Sequence, residues 1–202
     1  CVVIGAGASG MMCAGTAGIN GQDVLVIDKN KMPGRKLLIT GKGRCNVTNN
    51  CDRETFFENI VSNPRFLYSA YSSFSSEDTI RFFENRGVAL KTERGNRVFP
   101  VSDRAADIRD ALKRYCDESG VRFVRGKVSS LTVENDTVTG VELDDGSRIF
   151  AENTVVATGG MSYPLTGSDG SGYEFARACG HSISEPRAAL VPLIFEEKDL
   201  CA

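Results

Sequence analysis

A glycine-rich turn directly behind a short apolar segment constrains this chain most. Residues 2–4 are apolar, and the pattern G-x-G-x-x-G follows at once on Gly5, Gly7 and Gly10. In this pattern the first glycine permits a tight turn, the second lets phosphates approach the backbone, and the third lets a helix pack on the strand. Residues 11–17 are small and apolar, as that helix requires. The sequence therefore predicts a strand, a turn and a helix whose N-terminus favours an anion.

A second predicted strand ends in an acidic residue. Residues 23–27 form this strand, and Asp28 follows it. An acid in this position, about 20 residues after the glycine run, is placed to accept hydrogen bonds from ribose hydroxyls. A glycine-rich turn alone would also fit other α/β proteins. Here strand, turn, helix, strand and acid occur in order, which indicates a dinucleotide-binding unit.

The charge and the hydropathy of the chain bear on whether it binds nucleic acid or a membrane. Charged residues make up 25% of the 202 residues, and the formal net charge is −2. Such a balance creates no field that attracts nucleic acid or anionic lipid. No apolar run approaches the ~18 residues that a membrane helix needs. We therefore expect no nucleic-acid partner and no membrane partner, and we leave the oligomeric state open.

The cysteine and histidine counts bear on metals and redox compartment. The seven cysteines are odd in number and lack zinc-type spacing, which favours reduced thiols in a cytoplasmic protein. His181 is the single histidine, so the chain by itself offers no histidine-based metal site and no Ser-His triad. We predict no metal. Because the sequence begins inside a strand without Met and ends soon after a new apolar run, we expect a fragment of a longer protein.

The rest of the chain mixes predicted helices and strands. A helical excursion over 59–86 is expected to pack beside the sheet. Predicted helices cover 65–74, 77–85, the stretch between a Ser102–Asp103 cap and Gly120, and 172–178. Predicted strands cover 88–90 and 97–99 as a hairpin, then 121–124, 127–134, 137–143, 147–151 and 153–158, with 188–195 opening a further domain.

Five segments carry a resemblance to a known family. They are residues 2–10, 34–49, 97–103, 156–164 and 167–173. Together they resemble the first half of the HI0933-like or BaiN-like flavoproteins, a family that includes aminoacetone oxidases. The long second segment, GRKLLITGKGRCNVTN, is the most specific of them.

The resemblance implies an α/β fold. We expect a doubly wound, Rossmann-like, mainly parallel sheet of the fumarate reductase and glutathione reductase superfamily type, with a small antiparallel β-layer near 127–151. Residues 1–187 would form an FAD-binding domain that lacks its C-terminal segment. Residues 188–202 would begin a second, substrate-side domain.

The resemblance also implies FAD and its contacts. Asp28, where many FAD proteins carry Glu, would bind the adenosine ribose, and Arg35 and Lys36 would lie near the pyrophosphate. Residues 40–46 would lie along the isoalloxazine, and Val128 beside the adenine. The expected cofactor contacts are Gly5, Gly7, Ala8, Ser9, Gly10, Asp28, Lys29, Arg35, Lys36, Thr40, Gly41, Gly43, Arg44, Cys45, Asn46, Val128, Ala157, Thr158, Gly159, Gly160, Asp169 and Gly170.

For several of these residues an ordinary structural role is an alternative to a contact with the cofactor. Arg35 and Lys36 would also suit a solvated surface, and Val128 a half-buried strand. Asp169 with Gly170 would also suit a plain helix cap. His181 fits either a proton-transfer group or a cap at the end of a helix.

The resemblance predicts an FAD-dependent oxidoreductase that moves a hydride between flavin and a small organic substrate, with NAD(P)H as a candidate donor. Its catalytic residues are left unassigned. One alternative is a thiol-disulfide reductase that uses Cys45 and Cys51. The pair has one residue more between its cysteines than disulfide oxidoreductases have, which rotates Cys51 by roughly 100° on a helix and hinders closure. The other alternative is a non-catalytic FAD-binding module.

Overall fold

A computed structural model of the chain describes residues 1–187. In chain order its strands are β1 (Val2–Ile4), β2 (Leu25–Asp28), β3 (Thr48–Asn49), β4 (Leu90–Glu93), β5 (Arg97–Pro100), β6 (Arg122–Arg125), β7 (Val128–Glu134), β8 (Thr137–Leu143), β9 (Arg148–Phe150) and β10 (Thr154–Val156). The α-helices are α1 (Ala8–Ile19), α2 (Arg53–Glu58), α3 (Tyr68–Ser73), α4 (Ser76–Glu84), α5 (Ala105–Glu118) and α6 (Ser171–Ala178). Short 3-10 segments cover Leu37–Gly43, Pro64–Leu67 and Pro164–Thr166.

The centre of the fold is a four-stranded parallel sheet in the order β10-β1-β2-β6. Its inner strands are short runs of Val, Leu and Ile, and Val3 and Val26 are fully buried, as parallel strands covered on both faces require. From β1 the chain winds outward through β2 to β6, then returns to β10 on the other side of β1. The strand order therefore reverses between β1 and β10, where open α/β sheets bind their ligands.

Helices cover one face of this sheet. Met11 of α1 and Ile108 of α5 are buried in the same apolar cluster as Val26. The two helices approach closely because Gly15 has no side chain, since a Cβ there would lie 2.4 Å from the ring of Tyr115. The apolar residues of α5 that recur at helical spacing are buried in the core: Ala105, Ile108, Ala111, Leu112 and Tyr115.

The other face of the parallel sheet is covered by a second, antiparallel sheet in the order β7-β8-β9. Val128, Val141 and Leu143 of this sheet pack with Ile4 and with Phe175 of α6. The expected antiparallel layer near 127–151 is confirmed, and so are the α/β class and the parallel sheet.

A third, smaller sheet has the order β3-β5-β4. The predicted hairpin is present as β4 and β5, with Thr92 opposite Val98, but β4 begins at Leu90, two residues later than the predicted strand 88–90. Strand β3 was not predicted, because two residues are too few to show an alternating pattern. It pairs Thr48 with Val98 and so fixes the end of the segment that follows residues 40–46.

Two helix starts differ from the prediction. The helical excursion begins with α2 at Arg53 and not at residue 59, because the Asp52 side chain caps it by accepting from Thr55 N at 2.8 Å. The predicted Ser102–Asp103 cap of α5 is wrong: the N-cap is Arg104, which makes no side-chain cap bond. Asp103 instead adopts a left-handed conformation, with φ of 55°, and bonds to Lys91.

The predicted strand 188–195 and the domain proposed over 188–202 lie outside the described residues. Within residues 1–187, no helix combines the length and the apolar character needed to cross a membrane.

Candidate functional site

A cavity of about 400 Å³ opens at the carboxyl ends of β1, β2 and β10, beside the switch point of the sheet. Among the residues predicted to contact a cofactor, those lining it are Gly5, Gly7, Ala8, Ser9, Asp28, Lys29, Arg35, Lys36, Thr40, Val128, Ala157, Thr158, Gly159 and Asp169. The structure thus brings together in one place residues that are spread over most of the described sequence.

The turn between β1 and α1 forms one wall of the cavity. A Cβ at Gly5, where φ is 105°, would lie 2.5 Å from the Ala157 carbonyl oxygen, and one at Gly10 would lie 1.9 Å from the Gly5 oxygen. These two glycines let the turns after β1 and β10 meet and let α1 begin against them. Gly10 therefore serves packing and does not line the cavity.

Gly7 differs from the other two glycines of the turn. It is the N-cap of α1, with φ of −79°, and a Cβ there would meet no protein atom within 4 Å. No side chain caps α1, and its first turn carries no acidic residue. The first N–H groups of an α-helix have no partner within the helix. Because Gly7, Ala8 and Ser9 line the cavity, these donors and the positive end of the helix dipole lie at its wall.

Asp28 is fixed at the end of β2. Its Oδ2 accepts a hydrogen bond from Ala6 N at 2.6 Å, and its Oδ1 accepts one from Asn30 N at 2.7 Å. The two bonds hold the carboxylate against the glycine-rich turn. A carboxylate oxygen can accept a further hydrogen bond, so both oxygens can still receive a donor from the cavity.

Opposite this turn, Lys29 Nζ contacts Asp169 Oδ2 at 2.5 Å. Desolvation by itself would raise the pKa of Asp169, but hydrogen bonds from Lys29 and Ser171 lower that pKa to about 2. The side chain is therefore ionised throughout the neutral range. Asp169 does not cap α6 from the N-cap position, because that position is Gly170, where φ is 85°.

Residues 40–46 lie mostly away from the cavity. Within this loop only Thr40 is part of the cavity wall, whereas Gly41, Gly43, Arg44, Cys45 and Asn46 are not. The Gly41 backbone lies over Phe99, because a Cβ at Gly41 would be 2.9 Å from that ring. The predicted cofactor contacts of this loop therefore stay predictions, apart from the position of Thr40 in the wall.

Arg44 is engaged in an ion-pair cluster. Its Nη1 lies 2.8 Å from Glu93 Oε1 and 3.3 Å from Asp103 Oδ1, and its guanidinium lies 4.0 Å from the centre of the Phe99 ring. The hydrogen bond from Arg44 lowers the pKa of Glu93, while Lys91, 2.7 Å from Asp103, is the main group that lowers the pKa of that carboxyl. The cluster ties the loop to the β4–β5 hairpin.

Cys45 is a buried thiol in a left-handed backbone conformation, with φ of 62°. Burial raises its pKa, whereas reactive cysteines have lowered values. Cys51 is half-buried, and both cysteines are free thiols. The structure therefore gives the thiol-disulfide alternative no support.

Two of the predicted contacts lie in the turns after β10. Gly160 and Gly170 do not line the cavity, and Gly170 N donates to the Gly160 oxygen at 3.2 Å. Cavity residues that sequence reasoning missed include Asn30, Gly126, Lys127, Thr166, Gly167, Ser168, Ser171 and Phe175. Gly167, Ser168 and Ser171 lie within segment 167–173, which carries part of the family resemblance, so that segment was the signal that could have identified them. In the described part of the chain, His, Cys, Asp and Glu form no group suited to hold a metal ion.

Among proteins of known structure, a fumarate reductase and a steroid dehydrogenase have a similar fold. The open conformation of a flavocytochrome c3 fumarate reductase matches with a TM-score of 0.61 at 20% identity, over 90% of this chain and 40% of that chain. A 3-ketosteroid-delta4-(5alpha)-dehydrogenase from Rhodococcus jostii RHA1 matches with a TM-score of 0.63 at 18% identity, over 80% and 46%. At such identities these similarities establish the fold alone.

Sequence relatives are more similar. An Escherichia coli protein named ribosomal RNA dihydrouridine synthase is 38% identical over 192 residues, which are 95% of this chain and 47% of the relative. A Clostridium scindens protein named 3-dehydro-bile acid delta(4,6)-reductase is 34% identical over 194 residues, or 95% and 46%. The chain thus spans about half the length of the curated relatives it matches. The profile of the HI0933-like protein Rossmann domain matches residues 1–191, and the chain therefore belongs to the HI0933-like family.

Proposed function

We propose that this chain is the FAD-binding domain of a flavin-dependent oxidoreductase. The observation that carries the proposal is the placement of an uncapped helix N-terminus and a fixed carboxylate, Asp28, at one cavity beside the switch point. A dinucleotide needs an anion site for its phosphates and an acceptor for its ribose hydroxyls, and this cavity offers both.

The residues present fit FAD. The phosphates of FAD can approach the backbone closely at Gly7, because no protein atom lies within contact distance of a Cβ placed there. Arg35 and Lys36 line the cavity and would balance the charge of a diphosphate. Val128 and Phe175 add apolar surface on the side of the antiparallel sheet, which suits an aromatic base.

Each group of this chain would have a defined task. Asp28 would accept hydrogen bonds from the ribose, and the N–H groups at the start of α1 would donate to phosphate oxygens. The bound flavin supplies two-electron redox chemistry, which no side chain of the cavity can perform. The chain itself binds and orients the dinucleotide and provides its electrostatic surroundings.

For the whole protein we propose reduction of a carbon–carbon double bond conjugated to a carbonyl group in a small organic substrate. Support comes from the names of relatives, since a dihydrouridine synthase and a delta(4,6)-reductase both saturate such a bond. In the net reaction NAD(P)H gives a hydride equivalent, a proton comes from solvent, and the products are the saturated compound and NAD(P)⁺. A cytoplasmic location, expected from the reduced thiols, belongs to the same proposal.

A second candidate is reduction of uracil within ribosomal RNA. Its support is that two relatives, from Escherichia coli and Haemophilus influenzae, carry the name of that activity at 38% and 34% identity. The net charge of −2 favours a small substrate for this chain. RNA contacts would then have to come from the rest of the polypeptide.

Spectroscopy of the purified full-length protein tests the first proposal. We expect absorption bands near ~370 and ~450 nm, release of FAD on denaturation, and bleaching under anaerobic NADH or NADPH. Asp28→Asn should weaken FAD binding about tenfold, because a charged hydrogen-bond acceptor is lost. Asp23→Asn is the matched control, since Asp23 lies at an exposed ion pair with Arg122. A colourless protein that takes up no FAD would refute the proposal.

Substrate identity is tested next on the reduced holoenzyme. A panel of α,β-unsaturated ketones and unmodified ribosomal RNA are compared as oxidants of the reduced flavin. Reoxidation by the ketones supports the small-molecule proposal, and reoxidation by RNA alone supports the second candidate. Reoxidation by oxygen alone would refute both reductase assignments.

A further inference from the structure

Two loops meet beside the cavity and join its two sides. The β2 loop, residues 29–36, follows Asp28, and the α6 loop, residues 163–170, precedes α6. Lys29 of the first loop is paired with Asp169 of the second at 2.5 Å. Both side chains also line the cavity, so groups that face the ligand space tie the loops together.

Further contacts follow the same pattern. Lys36 Nζ donates to Ser168 Oγ at 2.9 Å, and Asn30 Nδ2 donates to the Thr166 oxygen at 3.2 Å. A Cβ at Gly167 would lie 2.6 Å from Asn30 Nδ2, so the loops are in direct contact with no gap between them. All of these residues line the cavity. We call this contact between the β2 loop and the α6 loop the seam. Its hydrogen bonds and its ion pair are polar, so they can be exchanged for bonds to water or to a ligand.

We propose that this seam is a strap that opens to admit a dinucleotide and closes beside it, with the Lys29–Asp169 pair setting the exchange rate. The inference rests on the proposed function, because it takes the dinucleotide to be FAD. The pair is partly exposed, at 30% and 40% of the side-chain surface, so opening it costs little. Because residues of both loops line the cavity, separation of the loops would widen its opening.

A strap and a simple ligand contact differ in their effect on association. Loss of a contact to bound FAD raises the dissociation rate constant and leaves the association rate constant unchanged. Loss of a strap raises both. Lys29→Gln and Asp169→Asn should each raise both rate constants about two- to fivefold, the range expected for a partly exposed ion pair. Added salt should accelerate exchange in the unaltered protein and have less effect in either variant.

The experiment uses full-length apoprotein and FAD. Association is followed by stopped-flow flavin fluorescence, and dissociation by transfer to an excess of a second apoflavoprotein. The charge-reversed variant carrying Lys29→Asp and Asp169→Lys should restore slow exchange. Arg122→Gln, which breaks an exposed ion pair away from the cavity, is the control and should exchange at the unaltered rate.

The outcomes separate the two proposals. Unchanged association in both single variants, or a charge-reversed variant that exchanges as fast as they do, overturns the strap and leaves FAD binding intact. An unaltered protein that takes up no FAD overturns the proposed function, and the strap with it. Thermal unfolding of each variant is the control for loss of the fold: a variant that unfolds at the same temperature as the unaltered protein has changed its rates without losing its structure.

Discussion

The chain contains two glycine-rich turns that look alike in sequence and do different work in the structure. In the turn over residues 5–10, glycines let separate backbones meet: a Cβ at Gly10 would lie 1.9 Å from the Gly5 oxygen. In the loop over residues 40–46, Gly41 and Gly43 supply left-handed backbone, with φ of 55° and 84°, although a Cβ at Gly41 would also lie 2.9 Å from the Phe99 ring. Only the first turn contributes most of its residues to the cavity wall.

The second loop also places residues other than glycine in the left-handed region. Lys42 has φ of 59° and Cys45 has φ of 62°. Such conformations persist only where the surroundings hold them. Here Cys45 N donates to the Thr40 oxygen at 2.9 Å, and Arg44 is bound to Glu93. A glycine-rich sequence therefore indicates close approach of other atoms, an unusual backbone conformation, or both, as at Gly5 and Gly41.

The largest effect should follow Gly10→Ala. The added methyl would lie 1.9 Å from a backbone oxygen and 3.0 Å from a backbone carbon of Gly5, so α1 must move away from β1. We expect the free energy of unfolding to fall by about 3 kcal/mol, measured by chemical denaturation. An unchanged denaturation midpoint would show that this turn tolerates separation and would weaken the contrast between the two loops.

Gly7→Ala should separate binding from folding. Its φ of −79° suits alanine and its Cβ meets no protein atom, so the free energy of unfolding should change by less than about 1 kcal/mol, the usual cost of alanine at an N-cap. The methyl would intrude where phosphates approach, and FAD affinity should fall at least about tenfold, or ~1.4 kcal/mol. Isothermal titration of apoprotein measures this, and Gly10→Ala serves as the contrasting variant. Unchanged affinity would place the phosphates elsewhere.

Local patterns were sufficient for most of the fold. Apolar runs predicted β1, β2 and β10, helical spacing predicted α5, and strand-like runs over 127–151 predicted the strands of the antiparallel layer, because each signal lies within a short stretch of chain. The position of Asp28 at the cavity followed from its place at the end of a strand. The wrong Ser102–Asp103 cap shows the limit: Asp103 meets Lys91 and Arg44, and these long-range ion pairs outweigh a local preference.

The part of the cavity wall formed by the β2 loop and the α6 loop was less predictable from the sequence. Asn30, Thr166 and Ser168 come together only when the loops after β2 and before α6 meet, more than a hundred residues apart in sequence. No periodicity encodes such a contact. In the same way, nothing within residues 40–46 indicates that Arg44 binds Glu93, a partner on a hairpin that forms later in the chain.

Arg44→Gln should show that the second loop is held by charge. Glu93 and Asp103 have lowered pKa values in the folded protein, so their pairing stabilises it above their ordinary values of 4.5 and 3.8 and is lost as pH falls below them. The variant should therefore be less stable than the unaltered protein at neutral pH, with a difference that shrinks on acidification. Arg148→Gln, which breaks a pair with Glu142 elsewhere, is the control. A pH-independent difference would mean that stacking on Phe99 matters more than charge.

The smallest effects should come from the cysteines. Burial raises the pKa of Cys45, and it raises that of Cys116 to about 11, so both thiols stay protonated at neutral pH and should react with a thiol reagent only after unfolding. Cys45→Ala and Cys51→Ser should leave steady-state turnover of the full-length protein with NAD(P)H and its organic substrate unchanged within about twofold, because transfer of a hydride from flavin to such a substrate needs no dithiol. Loss of turnover in both variants, with FAD still bound, would instead establish the thiol-disulfide alternative. It would also make the second glycine-rich loop the site of chemistry and the first only a site of binding.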